Sequence, residues 1–418
     1  MKNGTAKVFS TRVIGLFLGI FVSLFALNTY ASMDVNMPRG VTPISHDVFD
    51  LHMFAIWVCV GIAIVVYGVM IYSLIHHRKS KGAKAAHFHD NTVLEVIWTA
   101  IPFILLIALA IPATLVIGDM EDTKNADLTI KVTGYQWKWQ YEYLDKHIRF
   151  FSNLSTPVEQ IYDEQPKDPW YLLEVDNPLV VPIHKKIRFL VTSNDVIHSW
   201  WVPELGVKRD AIPGFIHESW ANIEKPGIYR GQCAELCGVN HGFMPIVVRA
   251  VTQEEFDQWV AQQPKVGTPL TLMSNSNSQN TVPTAVAAQK SFDELMQEGK
   301  AQYGKYCSVC HKLDGTGLPP LFPALKGSSV AVGKSVARHI QLVLTGVPGT
   351  AMQAFADQLT DEELAAIVTY ERNAWDNNTG DIVQASDVAA VRQNGLKASL
   401  STQKNINQES IKVNEVKP

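Results

Sequence analysis

The sequence predicts a multi-domain membrane protein: a hairpin of two transmembrane helices, then an all-β domain, then a small all-α domain. Three observations carry this reading. Two uncharged apolar runs, Phe54 to Ile75 and Val96 to Gly118, each exceed twenty residues; at ~1.5 Å of rise per residue each can cross a hydrocarbon core of ~30 Å. From Leu128 the pattern changes to short β-like segments punctuated by Pro and Gly, the mark of a sandwich or barrel. Beyond residue 290 helix-capping signals take over, beginning with Ser291-Phe292-Asp293-Glu294, where Ser291 caps and Glu294 reaches back.

The chain of 418 residues is long enough for two or three domains, and its formal net charge of -4 leaves no basic footprint for nucleic acid. Lys2, Lys7 and Arg12 precede an apolar stretch from Val13 to Leu27 and a small-residue exit at Thr29-Tyr30-Ala31. This is the layout of a secretory signal over residues 1–31, since the run is short for a bilayer span. The hairpin occupies residues 41–120, with helices over about 51–76 and 93–118. Arg78, Lys79, Lys81 and Lys84 lie in its loop, and this basic excess puts the loop on the cytoplasmic side and everything after Asp119 outside. Pro102 and Pro112 are tolerated in a membrane helix. Cys59 reads as a small apolar residue facing lipid or a partner helix.

In the outward half, Ile130-Lys131-Val132, Ile187-Arg188-Phe189-Leu190-Val191 and Pro245-Ile246-Val247-Val248-Arg249 read as strands. The segment from Tyr135 to Tyr143 alternates aromatic and polar residues, which predicts five rings, Trp137 among them, on one face of a single strand.

The densest chemistry lies in Gly231-Gln232-Cys233-Ala234-Glu235-Leu236-Cys237-Gly238-Val239-Asn240-His241-Gly242-Phe243-Met244. Two thiols, an imidazole and a thioether stand within twelve positions of one another, and His198 precedes them in Asp195-Val196-Ile197-His198-Ser199-Trp200-Trp201. Soft sulfur with imidazole selects copper or zinc, and the thioether argues for copper. The set exceeds the needs of one blue-copper ion; two coppers sharing two cysteines use all of it. Cys-x-x-x-Cys taken alone also allows a disulfide in an exported domain.

A second redox motif follows a change in composition. Residues 264–290 hold Pro, Gly, Ser, Asn and Thr in a flexible-linker pattern, and residues 291–380 form the all-α domain. Within it, Cys307-Ser308-Val309-Cys310-His311 is the Cys-x-x-Cys-His attachment signature of c-type heme, with both thiols bonded to the porphyrin and His311 on the iron. A thioredoxin-like pair is disfavoured because no βαβ pattern surrounds it. The sixth ligand is expected downstream. Met352, just before the capped helix opening at Thr360, is the sole methionine after the motif; His339 reads as a surface residue of another helix. Residues 381–418, rich in Ser, Gln, Asn and Lys, read as a disordered tail.

The run Cys233-x-Glu235-x-Cys237-x-x-x-His241-x-x-Met244, with His198 ahead of it, closely resembles the binuclear CuA site of cytochrome c oxidase subunit II. The resemblance covers roughly Val41 to Gln263, and one to class I cytochromes c covers roughly Ser291 to Trp375. Together they resemble a caa-type heme-copper oxidase subunit II with a fused cytochrome c domain. The first implies that residues 121–263 form a cupredoxin-like domain on the periplasmic side of a bacterial inner membrane. Cys233 and Cys237 would bridge two coppers, His198 and His241 would each cap one, and Met244 and the Glu235 carbonyl would be weak axial ligands. It further implies a magnesium ion shared with subunit I through the Glu235 carboxylate, electron arrival at Trp137, and a proton-path mouth at Glu95. The second implies Met352 as distal iron ligand. The implied partners are subunit I, subunit III, and a soluble cytochrome c or cytochrome complex as donor. The implied function is electron input to oxygen reduction coupled to proton pumping, with no oxygen-reducing site on this chain. Other readings are a CuA-containing nitric oxide reductase component and a membrane-tethered electron shuttle or copper-delivery protein. A quinol oxidase subunit is disfavoured because all the copper ligands are present.

Overall fold

A computed structural model describes residues 36–84, 90–264, 289–347 and 350–394. The expected signal over 1–31, most of the expected linker and residues 395–418 lie outside them.

Helix α1 (Pro43–His76) starts where its sequence caps it. Extended Thr42 accepts from the Ser45 amide, the Ser45 side chain returns the bond, and Pro43 stands at the first helical turn, where its missing N–H costs nothing. Helix α2 (Thr92–Glu121) is capped by Asn91 and runs through Pro102 and Pro112. Both are long and apolar enough to cross a membrane, and no residue of their most apolar windows is buried within the chain. Their side chains are therefore left for lipid or partner helices. The 34 and 30 residues of these helices span ~51 and ~45 Å, longer than a hydrocarbon core.

The protruding ends hold the next domain. Thr42 Oγ1 donates to the Leu205 carbonyl at 2.8 Å, Trp220 Nε1 donates to the Asp119 carbonyl at 2.9 Å, and Thr123 Oγ1 donates to Glu218 Oε2 at 2.6 Å. That domain is a two-sheet sandwich. Its strands are β1 (Leu128–Tyr135), β2 (Lys138–Tyr143), β3 (Ile148–Ser152), β4 (Leu179–Pro182), β5 (Lys186–Ser193), β6 (His198–Val202), β7 (Val207–Ala211), β8 (His217–Asn222), β9 (Gly227–Cys233) and β10 (Pro245–Val251). One sheet has the order β3-β2-β1-β5-β8 and the other β4-β10-β9-β6-β7, with β1 parallel to β5 and β10 parallel to β4. A one-turn helix α3 (Val158–Ile161) lies in the long β3–β4 connection, and α4 (Gln253–Gln262) closes the domain. The inner faces supply Ile130, Val132, Phe189, Trp200 and Val248, all fully buried.

The segment Tyr135–Tyr143 departs from the single strand expected. It is a hairpin with Gln136 and Trp137 in the turn, Tyr135 opposite Lys138 and Gly134 opposite Trp139. Trp139, Tyr141 and Tyr143 enter the core at 0% exposure; Tyr135 takes the other face, and Trp137 stands at the tip. Chain reversal after an aromatic residue flips which parity points inward.

The C-terminal domain comprises α5 (Phe292–Tyr306), α6 (Ser308–His311), α7 (Val336–Thr345) and α8 (Asp361–Asn373), followed by helical residues 385–394. Here too the structure differs from expectation. Residues 381–394 are folded onto the domain rather than loosely attached: Val383 and Val388 are fully buried in its apolar cluster, and Arg392 pairs with Asp361 at 2.9 Å. The polar composition hid an amphipathic turn of helix. Val388→Ala should therefore destabilise this domain by about 2 kcal/mol, read as a lowered denaturation midpoint of the heme Soret band; a shift within error would show that the segment contributes nothing.

Candidate metal centres

The first site sits where β6 and β9 pair. Trp200 faces Cys233 across the ladder, and the Ala234 amide donates to the Ser199 carbonyl at 3.0 Å. This register sets His198, the first residue of β6, beside Cys233, the last of β9. The loop then carries Cys237 and the short turn His241–Phe243 back to β10. Cys233 Sγ lies 3.8 Å from Cys237 Sγ, 3.9 Å from His198 Nδ1 and 3.3 Å from the Glu235 carbonyl oxygen. Cys237 Sγ lies 3.5 Å from His241 Nδ1 and 3.5 Å from Met244 Sδ. Ligand atoms of His198, Cys233 and Cys237 all fall within 4.8 Å of one another. All six residues singled out from the sequence thus converge, and the sulfurs are too far apart to be bonded to each other, since a disulfide requires ~2.05 Å.

Burial and mutual proximity set the electrostatics. Cys233 and Cys237 are 6% and 3% exposed. The Cys237 thiol beside it, against the cost of burial and with help from His198, holds the Cys233 pKa far down. The adjacent Cys233 sulfur, followed by burial, pushes Cys237 far up. One thiolate forms readily and the second only with cationic charge between them. Two sulfurs, two imidazoles, a thioether and a carbonyl around that demand fit a two-copper centre.

One contributor escaped the sequence reading. Asp195 Oδ1 lies 2.9 Å from His198 Nε2, which turns Nδ1 toward the sulfurs. Burial opposes the charge on His198, but Asp195 and Cys233 raise its pKa. Burial likewise opposes the Asp195 charge, and bonds from His198 and the Gln136 and Val196 amides lower its pKa. A carboxylate three residues before a metal-type histidine was the available signal. Gly134 makes room for the ring: a Cβ there would come 2.7 Å from His198 Cδ2. Gly238, at φ +119, turns the loop against Trp137. Trp137 Nε1 donates to the Cys237 carbonyl at 3.2 Å and Gln136 Nε2 to the same oxygen at 2.8 Å, so the hairpin tip touches the site directly. The Glu235 side chain is exposed.

In the C-terminal domain, Cys307 ends α5 and α6 carries Cys310 and His311. His311 Nδ1 lies 2.9 Å from the Pro323 carbonyl; as donor there it leaves Nε2 free for iron. Burial pushes both thiols up, Cys307 well above its ordinary value and Cys310 to about 11. Cys307 and Met352 both pack on the same apolar cluster, with Tyr306 and Val336. A thioether on an apolar cluster and an oriented imidazole fit a c-type heme. His339 is not the surface residue expected: it is 2% exposed, and its Nε2 lies 2.8 Å from Oε2 of buried Glu371. Glu95 stands exposed in the first turn of α2.

Residues 30–116 match the transmembrane domain of Cytochrome C oxidase subunit II, residues 128–251 its periplasmic domain, and residues 294–370 Cytochrome C oxidase, cbb3-type, subunit III. A probable cytochrome c oxidase subunit 2 of Rickettsia bellii is 41% identical over 58% of this chain and 90% of its own length. The chain belongs to the cytochrome c oxidase subunit II family. The cytochrome c oxidase subunit 2 of Arabidopsis thaliana is 38% identical over 58% of this chain and 95% of its own. A crystal structure of the periplasmic domain of cytochrome oxidase subunit II from Bradyrhizobium japonicum is 48% identical, covering 34% of this chain and 96% of that one at a TM-score of 0.30. This is a subunit II with a cytochrome c domain, part of an oxidoreductase complex in which it works with subunit I in a membrane. The family implies CuA copper for the first site, and the cytochrome domain implies heme c for the second.

Two outcomes follow from the geometry. Asp195→Asn should weaken copper retention about 10- to 100-fold, measured by copper released to a chelator at fixed protein; unchanged retention would deny Asp195 its orienting role. His339→Ala, which strands Glu371 without its partner, should cost the heme domain about 3 kcal/mol in chemical denaturation.

Proposed function

We propose that this chain is the electron-input subunit of a heme-copper terminal oxidase, carrying electrons from one covalent heme c to one binuclear CuA centre and on to subunit I, where oxygen is reduced to water and protons are pumped. The observation that carries this reading is the convergence of two buried thiols, two imidazoles and a thioether around a gap between sulfurs of 3.8 Å. When loaded, the coppers and heme supply one-electron chemistry at potentials set by their ligands.

The chain's own residues hold and insulate those centres. Cys233 and Cys237, His198 and His241, and Met244 with the Glu235 carbonyl are the residues that would hold the two coppers. Asp195 orients His198, and burial under Trp139 and Trp200 excludes water. Cys307 and Cys310 would bear the heme, and His311 and Met352 would ligate its iron. The exposed Glu235 carboxylate is assigned a magnesium ion shared with subunit I, Trp137 the arrival of electrons, and Glu95 the mouth of a proton path. The reading includes a cleaved signal over residues 1–31, an inner-membrane location with both redox domains periplasmic, subunit III in the complex, and a soluble cytochrome c or cytochrome complex as donor to the heme.

Mild detergent extraction followed by metal and covalent heme analysis tests it. The expected yield is two coppers and one heme c per chain with a large polytopic partner and oxygen uptake on reduced cytochrome c; purification without any such partner refutes the oxidase reading. Cys237→Ser should abolish the near-infrared CuA band, and a retained band would overturn the ligand set.

A further inference from the structure

The heme domain lies against the hairpin tip, and its two redox motifs meet those of the copper domain. Asn240, beside copper ligand His241, donates through Nδ2 to the carbonyl of Val309 inside Cys307-Ser308-Val309-Cys310-His311 at 3.3 Å. The Trp137 ring meets Phe322 edge-on, centroids 5.9 Å apart, and Phe322 precedes the Pro323 carbonyl that faces His311. Gln353, the residue after Met352, donates through Nε2 to the Gln136 carbonyl at 2.7 Å. One peptide unit thus separates this bond from Trp137 at one end and from Met352 at the other.

Lys138 shows that this contact is built into both sequences. It opens β2 directly after Trp137 and is only 4% exposed. Its ammonium donates to Gln358 Oε1 and lies 4.9 and 4.7 Å from the ring centroids of Phe151 and Phe355. Burial pushes its pKa down to about 7, with Asp195 opposing. A buried ammonium is expensive unless bonded, and of its partners Gln358 and Phe355 belong to the heme domain. Without that domain Lys138 loses an acceptor and an aromatic face together. Ion pairs frame the same face, Lys305 with Asp176 at 3.0 Å and Arg149 with Asp357 at 3.3 Å.

We propose that Gln353 and Gln358 are positioning residues for intramolecular electron transfer: they seat the heme domain on the Gln136–Trp137 tip and on Lys138, so that Trp137 bridges Phe322 and the Cys237 carbonyl. The proposal rests on the reading of the two sites as CuA and heme c. Electrons leave reduced heme c and arrive at oxidised CuA one at a time, and no bond is made or broken. Seated in this way, the heme domain covers the tip, so a soluble donor reduces heme c rather than CuA.

The test uses the intact oxidase complex. Heme c is photoreduced by a ruthenium complex, and CuA reduction is followed in the near infrared. Gln353→Ala and Gln358→Ala should each slow the heme c to CuA step about tenfold, the order expected when a buried group loses its partner. The heme absorbance, heme midpoint potential and CuA band should stay as in the parent, a separation that a merely structural role would not produce. In the Gln358→Ala background, Lys138→Met should recover part of the rate, because it removes the buried amine left without its acceptor. Parent-like rates in both single variants with both centres loaded overturn the proposal. A parent complex lacking the CuA band or covalent heme overturns instead the site reading beneath it.

Discussion

Two sulfurs stand 3.8 Å apart in a pocket nearly closed to water. At that separation two negative charges repel by ~4 kcal/mol even at an effective dielectric of 20. The fold holds them there nonetheless, because the β6–β9 register fixes Cys233 and the loop returning to β10 fixes Cys237. Burial and mutual repulsion disfavour ionising both, and cationic charge in the gap would relieve that repulsion. The carbonyl of Cys237 is equally constrained: it takes donors from Gln136 and Trp137. The same backbone that presents a ligand sulfur inward therefore anchors the hairpin tip outward.

Rigidity around this pocket has several independent sources, and each is needed for a different coordinate. Asp195 sets the rotation of the His198 ring and is itself held by the Gln136 and Val196 amides. Trp139 Nε1 donates to the Met244 carbonyl at 3.2 Å, tying the far end of the ligand loop to the core strand. The ends of α1 and α2 bond to Leu205, Glu218 and Trp220, so the sandwich is fixed to the membrane hairpin on more than one side. A site tethered in this way changes oxidation state with little rearrangement of its ligands.

Much of this was legible in the chain because ligand spacing is a local property. Cys233 to Met244 lie on one loop, and Cys307 to His311 on one turn, so motif and site nearly coincide. What was hidden depended on pairing. From Tyr135 to Tyr143 the alternation of aromatic and polar residues is unbroken, yet the chain reverses at Gln136–Trp137, and period two carries no mark of reversal. Lys138 is covered by residues of another domain, Gln358 and Phe355, which no local pattern announces. His339 looks superficial in its helix until Glu371, 32 positions away, meets it. In residues 381–418 the Ser, Gln, Asn and Lys conceal Val383 and Val388, which are buried in the domain's apolar cluster. Asp195 was visible but uninterpretable, since its value lies in the ring it orients.

The placement of the heme domain bears on how a tethered donor competes with a free one. A second site on the same chain acts at an effective concentration of order mM, which a soluble protein donor reaches only when abundant. Contact between Asn240 and Val309, and between Gln353 and Gln136, adds orientation to that proximity, and orientation is the part that a tether alone cannot supply. The same contacts pack the heme domain against Trp137, so the hairpin tip beside Cys237 is occupied by the chain's own neighbouring domain. Under the proposed function, an external donor then meets the exposed face of the heme domain, and the onward transfer to copper takes place within one chain.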